Sequence, residues 1–405
     1  MPALAIDLAV VREAALLLQG RARRTELIHS HFFSGACGVP LYFKCENLQR
    51  TGSFKIRGAL NFLLRQPEEA LRQGVVAASA GNHAQGVAFA AGVRGIRALV
   101  VMPETTPLAK LQATRHYGAE VVLHGATFDD ALQQGRALAA AAGSLFIPAF
   151  DDPLVMAGQG TVGLEIVEAL PEVDTLVVPI GGGGLIAGVA TAAKGIRRDL
   201  RLIGVETAAA PSALLSRRQG EPTAVPGAYS LADGIALKRI GDLTFPIIES
   251  LVDDIVTIEE EEIAQAIVAL MEKAKLVVEG AAAVTLAAVL GSRFPRRGKT
   301  VCLLSGGNID VQTIARVVER GLLAEGRFLK VKVGLDDVPG ALAALAYHLG
   351  GCGANIVRVR HDRHSAALPL GRTEVHLELE TRGPEHIEEV LRHLVEAGYG
   401  ATVLP

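Results

Sequence analysis

From Val75 to about Gly321, short Val/Ile/Leu runs alternate with alanine-rich stretches of helical period. The strand candidates are VVAASA, RALVVMP, EVVLHG, SLFIPAF, DTLVVPI, RLIGVE and TVCLLS, preceded by LYFKCENL before residue 50. Most are continuous apolar runs rather than period-2 alternations. Both faces of such strands are buried, as in a parallel sheet covered by helices on each side. The interleaving predicts an α/β architecture.

After Gly321 the pattern changes. Leu329, Val331 and Val333 alternate with Lys330 and Lys332, which predicts a one-sided sheet. The elements read as strand Phe328 to Leu335, helix Val338 to Leu349, strands Asn355 to His361 and Arg372 to Thr381, helix Pro384 to Ala397, and a last strand ATVLP. That β-α-β-β-α-β order is ferredoxin-like. The expected organisation is a large unit over residues 1–320, a linker over 321–327 and a small unit over 328–405.

The first twenty residues, MPALAIDLAVVREAALLLQG, are interrupted by Asp7 and Glu13 and lack both a basic n-region and a small-residue cleavage site, so they read as an amphipathic helix. GAAAVTLAAVLG, from Gly280 to Gly291, is too short to span a bilayer, which takes about 20 apolar residues, and reads as a core helix. With 405 residues, half of them hydrophobic, and a formal charge of -3, nothing suggests a nucleic-acid surface or a polybasic membrane anchor, so the expected partners are small molecules. Cys37, Cys45, Cys302 and Cys352 form no CxxC pair, which fits a reducing cytoplasm.

Glycine-rich segments recur where strands should end, which is where open α/β sheets place ligands. Gly181, Gly182, Gly183 and Gly184, with Leu185, follow the strand DTLVV and open a helix. Glycines let backbone approach an anion, and the helix N-terminus aims free N–H groups at it, so the segment reads as a phosphate cradle. Gly182, Gly184 and Ala187 also satisfy the dinucleotide pattern, with Glu206 at the end of the next strand to hold a ribose, and a plain glycine turn would look the same. A P-loop is excluded because no Gly-Lys-Ser/Thr follows.

Ser79, Ala80, Gly81, Asn82 and His83 form a second turn between strand and helix. Ser79 or Asn82 would serve there as an ordinary N-cap, or with consecutive N–H groups as a nest for a carboxylate or phenolate. His83 suits packing at a helix start at least as well as acid/base work. Ser305, in Ser305-Gly306-Gly307-Asn308, would stand at a third strand end. In Thr51-Gly52-Ser53-Phe54-Lys55-Ile56-Arg57-Gly58, Lys55 could be a plain turn lysine, but its apolar setting would lower its pKa. An anion cradle, a carboxylate nest, a hydroxyl at a strand end and such a lysine are together what a pyridoxal 5'-phosphate site requires.

SFKIRGA, SAGNHAQGVA, VPIGGGGLIAG, SLADGIA and SGGNID, in this order, resemble the threonine dehydratase and serine racemase group of fold-type II pyridoxal phosphate enzymes, over about residues 5 to 320. The resemblance implies two open parallel-sheet subdomains. Lys55 matches the lysine that carries the cofactor and takes the substrate's Cα proton, Phe54 the residue packed beside the ring, and Asn82 the one bonded to its 3′-oxygen. Gly181 to Gly184 with Leu185 match the phosphate loop, Ser305 the partner of the pyridine nitrogen, and Ser79, Ala80, Gly81, Asn82 and His83 the substrate-carboxylate loop. A neutral serine hydroxyl cannot keep that nitrogen protonated as a carboxylate would, which favours expulsion of a β-substituent over transamination.

Three positions depart from the pattern. Racemases of the group have a second serine where this chain has Ala80, and inversion needs a proton donor on each face of Cα, so Ala80 argues for dehydration. Ser212 replaces an aspartate that joins the glutamate matching Glu206 in a divalent-cation site of those racemases, and Glu26 replaces a proline after Arg24-Thr25.

The C-terminal unit resembles an ACT domain through Asp337, Val338, Pro339, Gly340, Ala341 and Leu342 and through Gly353 to Ile356. It implies an amino-acid effector held by Asp337, Val338, Gly340 and Asn355, or a ligand-free dimerisation module. The implied activity is deamination of L-threonine, and of L-serine, by a homodimer or homotetramer. The alternatives are serine racemase, hydroxyaspartate dehydratase, a nicotinamide oxidoreductase and a non-catalytic amino-acid sensor.

Overall fold

The computed structural model describes residues 4–363 and 369–404. The chain divides into two compact units, the first ending at Val311 and the second beginning at Gln312. This division precedes the expected one at residue 320 because helix Val311–Ala324 is continuous through both the expected boundary and the first part of the expected linker.

The first unit contains two sheets. One orders its six strands as Leu27–His29, Leu41–Cys45, Thr300–Leu304, Thr175–Pro179, Arg201–Thr207 and Asp254–Ile258. All its neighbouring pairs are parallel except the first. The other is wholly parallel and orders Glu120–Leu123, Ala98–Met102, Val75–Ala78 and Leu145–Phe146. SLFIPAF contributes only the two residues Leu145 and Phe146 because Pro148 has no N–H for the ladder. Leu27–His29 and Asp254–Ile258 were not among the expected strands; the first is three half-buried residues, and the second has a mixed burial pattern.

The apolar helices pack as their patterns dictate. Gly280–Leu290 is buried over ten of its positions. Leu8–Leu18 buries Val11, Ala14 and Leu18, and Asp7 caps it by accepting from Val10 N–H; its first three expected positions lie outside the described residues. Helices Pro153–Ala169 and Gly184–Ile196 cross closely at Gly160 and Gly188: a Cβ at Gly188 would lie 2.2 Å from Met156 O. This contact sets the glycine loop at residues 181–184 against the helix that follows Phe150.

A buried charge cluster fixes the helix Lys55–Leu64. Arg57 donates bidentately to Glu46 at 2.8 Å and to Glu165 at 2.6 Å, while Lys44 donates to Glu165 at 2.5 Å and to Thr25 O at 2.7 Å. Removing one member would strand an unpaired charge in the core, a loss of about 3 to 5 kcal/mol. Because Arg57 is two residues from Lys55, the network anchors that lysine's backbone to the large sheet.

The second unit has the expected β-α-β-β-α-β order: Phe328–Asp336, Ala341–Gly351, Asn355–Asp362, Arg372–Glu380, Pro384–Glu396 and Ala401–Val403, with Pro405 outside the described residues. Its sheet is antiparallel, with Asn355–Asp362 and Ala401–Val403 at the edges. The first helix starts at Ala341 rather than Val338 because Val338 to Gly340 form a turn, with Gly340 at φ +89°.

Candidate active site

Four strand ends meet at one cavity of about 310 Å³. Leu41–Cys45 leads to Lys55, Val75–Ala78 to Ser79–His83, Thr175–Pro179 to the glycine loop and Thr300–Leu304 to Ser305, all at carboxyl ends as open sheets dictate.

Lys55 begins its helix just after Phe54, whose N–H donates to Ser305 O at 3.1 Å. Its Nζ donates to Ala149 O at 2.8 Å and stands 5.3 Å from the Phe54 ring centroid. Burial pushes the amine down to about 8 from 10.5, although the carboxylate of Glu279 pulls the other way.

In the glycine loop, Gly182 O accepts from Thr244 Oγ1 at 2.8 Å and Gly241 N–H at 3.2 Å. The N–H groups of Gly181 to Leu185 meet no acceptor among the described residues. The glycines are required by the wall behind them. A Cβ would lie 2.3 Å from the Phe150 ring at Gly182 and 2.9 Å from Phe150 O at Gly184; Gly183, at φ +94°, would place one 2.6 Å from Thr244 Oγ1. With that wall filled, a row of unsatisfied amides at a helix N-terminus faces the cavity, as a phosphate requires.

Ser79 Oγ accepts from Gly81 N–H at 3.1 Å, and Gly81 is the N-cap of helix Asn82–Arg94, with no side-chain cap. The first-turn amides of Asn82, His83 and Ala84 have no acceptor among the described residues, which leaves an anion nest. The His83 imidazole is no part of it: Nε2 lies 3.1 Å from Ile147 O, and burial, reinforced by the charge of Lys55, pushes its pKa down to about 3. Ser305 Oγ is buried and donates to Ala281 O at 3.5 Å.

Sequence reasoning missed Glu279. Asn82 Nδ2 donates to both its carboxylate oxygens, at 2.8 and 2.9 Å, while Asn82 Oδ1 accepts from Asn308 Nδ2 at 2.8 Å. Asn308 is held in turn by Thr51 O at 2.8 Å, so the Asn82 amide presents its donors in a fixed direction. Burial pushes Glu279 up to about 7. Lys110 and Asp233, also missed, pair at 2.6 Å in the cavity wall. A lone carboxylate just before the uncharged run GAAAVTLAAVL was the available signal for Glu279.

Glu206 lies elsewhere. Its oxygens accept from Ala213 N–H at 2.7 Å and Leu214 N–H at 2.9 Å, capping helix Ser212–Gln219, so it is not presented to a ribose or to the cavity. Among the described residues no three His, Cys, Asp or Glu side chains are placed to hold a metal.

In the second unit, Asp337, Val338 and Gly340 line a separate cavity of about 210 Å³ with His361 and Arg363, and Asp337 pairs with Arg363 at 3.3 Å. Asn355 is not brought to it within the chain. Asn355 pairs in register with Glu380 and bonds its carboxylate at 3.3 Å, whereas Asp336 pairs with Arg372 at the other end of the sheet.

The residues present fit pyridoxal phosphate: free amides for its phosphate, a low-pKa amine for its aldehyde, a fixed amide beside the ring and a buried hydroxyl at a strand end. A family model described as pyridoxal-phosphate dependent enzyme matches residues 18–306. An L-threonine ammonia-lyase of Geobacter sulfurreducens is 61% identical over 396 residues, 98% of each chain. Among solved structures, the processed threonine deaminase isoform 2 of Solanum lycopersicum shares 37% identity at a TM-score of 0.73, covering 77% of this chain and 93% of that one. Maize serine racemase shares 35% at 0.75, covering 80% and 99%.

Proposed function

The chain belongs to the pyridoxal-phosphate dependent enzymes, and we propose that within them it dehydrates and deaminates L-threonine to 2-oxobutanoate and ammonia, with L-serine as a second substrate giving pyruvate. The observation that carries this reading is Lys55, an amine pushed down to about 8 in a cavity also lined by Ala80, which stands where racemases of the group have a second proton donor. When bound, pyridoxal phosphate supplies the electron sink that lets the Cα–H and Cβ–O bonds break.

The chain's own residues do the rest. The amides of Gly181 to Leu185 would hold the phosphate, Phe54 would pack beside the ring, and Asn82, oriented by Asn308, would bond the ring oxygen. The amides of the Ser79–His83 turn receive the substrate carboxylate. Lys55 Nζ takes the Cα proton. Ser305, buried at its strand end, would offer a neutral hydroxyl rather than a carboxylate to the ring nitrogen. Incubation with L-threonine should release 2-oxobutanoate and ammonia in equal amounts, and Lys55→Ala should abolish this release; turnover at near wild-type rate in that variant would refute the reading.

The second unit acts as an ACT-like regulatory domain over residues 328–405, reached from the catalytic unit through helix Val311–Ala324. A branched-chain amino acid binds beside Asp337, Val338 and Gly340, and the cavity at that turn supports this reading. The edges of its sheet pair between subunits of a homodimer or homotetramer, which would let the partner subunit bring its copy of Asn355 to the turn. The enzyme works in the cytoplasm, consistent with four free, buried cysteines.

A further inference from the structure

The cavity wall carries an ion pair to which the proposed deamination assigns no role. Lys110, on helix Leu108–His116, donates to Asp233 at 2.6 Å, and both line the cavity with Glu279. The Lys110 Nζ lies 3.9 Å from where a Cβ on Gly81 would be, so the ammonium stands over the turn that receives the substrate carboxylate. Its side chain is only 19% exposed, whereas that of Asp233 is 59% exposed. Asp233 is therefore the more solvated partner, and it covers a cation that faces inward.

Asp233 is itself held in place. Five residues on, Lys238 pairs with Asp129 at the start of helix Phe128–Ala142, so the segment carrying Asp233 is tied to the small-sheet side by two ion pairs of opposite polarity. Among the described residues, the cavity consequently contains one cation already matched by a carboxylate, a second carboxylate at Glu279 that engages Asn82, and no unmatched cation for an additional anion apart from Lys55.

On the reading of the site as a deaminase of β-hydroxy amino acids, we propose that Asp233 is a specificity-determining residue: by holding Lys110 it excludes substrates that carry a second carboxylate on Cβ. L-Threonine and L-serine bring a single carboxylate, which the Ser79–His83 turn receives. A 3-hydroxyaspartate would place its second carboxylate near Asp233 and Glu279, where Lys110, the one ammonium besides Lys55 among the described lining residues, is already engaged. Discrimination then comes from a built-in repulsive element rather than from tighter contacts to threonine.

The test uses the full-length holoenzyme and the variants Asp233→Asn, Lys110→Met and the double variant. Asparagine keeps a carbonyl to accept from Lys110 and removes the charge. The ratio of kcat/KM for threo-3-hydroxy-L-aspartate over that for L-threonine should rise at least about tenfold in Asp233→Asn, and the rise should vanish in the double variant. Binding of L-aspartate against L-2-aminobutyrate, neither of which has a β-hydroxyl to lose, is followed through the visible absorption of the bound cofactor and should shift by the same factor. An unchanged ratio in Asp233→Asn overturns the proposal, as does an equal gain for both unreactive amino acids, which would assign Lys110 to the α-carboxylate. A gain that persists without Lys110 overturns the assignment to that lysine. Wild-type enzyme inert toward L-threonine would refute the deaminase reading, and the L-aspartate binding comparison would still decide the role of Asp233.

Discussion

Replacing Lys55 by methionine should stabilise the cofactor-free protein at neutral pH while abolishing catalysis. The amine titrates at about 8 in the fold against 10.5 normally. At 1.36 kcal/mol per tenfold change, that difference puts roughly 3 kcal/mol of unfavourable free energy on the charged lysine at pH 7. Methionine removes the charge but also the bond to Ala149 O, which contributes about 1 kcal/mol. The expected net gain is about 1 to 2 kcal/mol. The sign follows from proton binding: between pH 8 and 10.5 the unfolded chain holds the extra proton, so wild-type stability rises with pH across that window, while the methionine variant lacks this rise. Urea unfolding of both cofactor-stripped proteins from pH 7 to 10 reads it. A variant clearly less stable than wild type at pH 7, together with a flat wild-type profile from pH 8 to 10, would refute the argument. The functional counterpart is that at pH 7.5 about a quarter of the amine is neutral, against about one part in a thousand for an ordinary lysine. Capture of added pyridoxal phosphate should therefore accelerate with pH and level off just above 8.

Gly183→Ala forces an L-residue to φ +94° against Thr244, so it should cost about 1 to 3 kcal/mol and lower cofactor content, measured by absorbance after dialysis and by Tm. Glu279→Gln removes a buried carboxyl that titrates at about 7 rather than 4.5. Wild-type stability should fall as pH rises between those values and the variant's should not, as thermal melts in cofactor-free buffer will show. Incubation with L-serine should give pyruvate with little D-serine, and Ala80→Ser should raise the D-serine fraction measured by chiral chromatography. A chain cut after Gly321 should keep turning over threonine, lose its response to isoleucine and valine, and form smaller oligomers by light scattering.

Where a feature depends on local pattern, the sequence made it legible. The continuous apolar strands, the alternating Lys330 and Lys332, and the glycine punctuation at the strand ends led to the α/β unit, the ferredoxin-like unit and the gathering of Lys55, Asn82, Gly181–Gly184 and Ser305 at one cavity. What escaped depends on contacts between distant segments. Glu279 meets Asn82 across 197 positions and Lys110 meets Asp233 across 123, and no periodicity encodes either. The reason for the glycines was likewise hidden, because Phe150 and Thr244 fill the wall behind them. His83 and Glu206 show the converse: residue types suited to chemistry are held by Ile147 O and by the N-terminus of helix Ser212–Gln219.

The central claim, that Lys55 and the surrounding turns deaminate L-threonine, is tested most directly by following 2-oxobutanoate from purified holoenzyme supplied with L-threonine, with Lys55→Ala measured in parallel. The account predicts equal amounts of 2-oxobutanoate and ammonia from the wild type and none above background from the variant. A wild-type enzyme that binds the cofactor yet releases no 2-oxobutanoate, or a variant that matches it, would contradict the account.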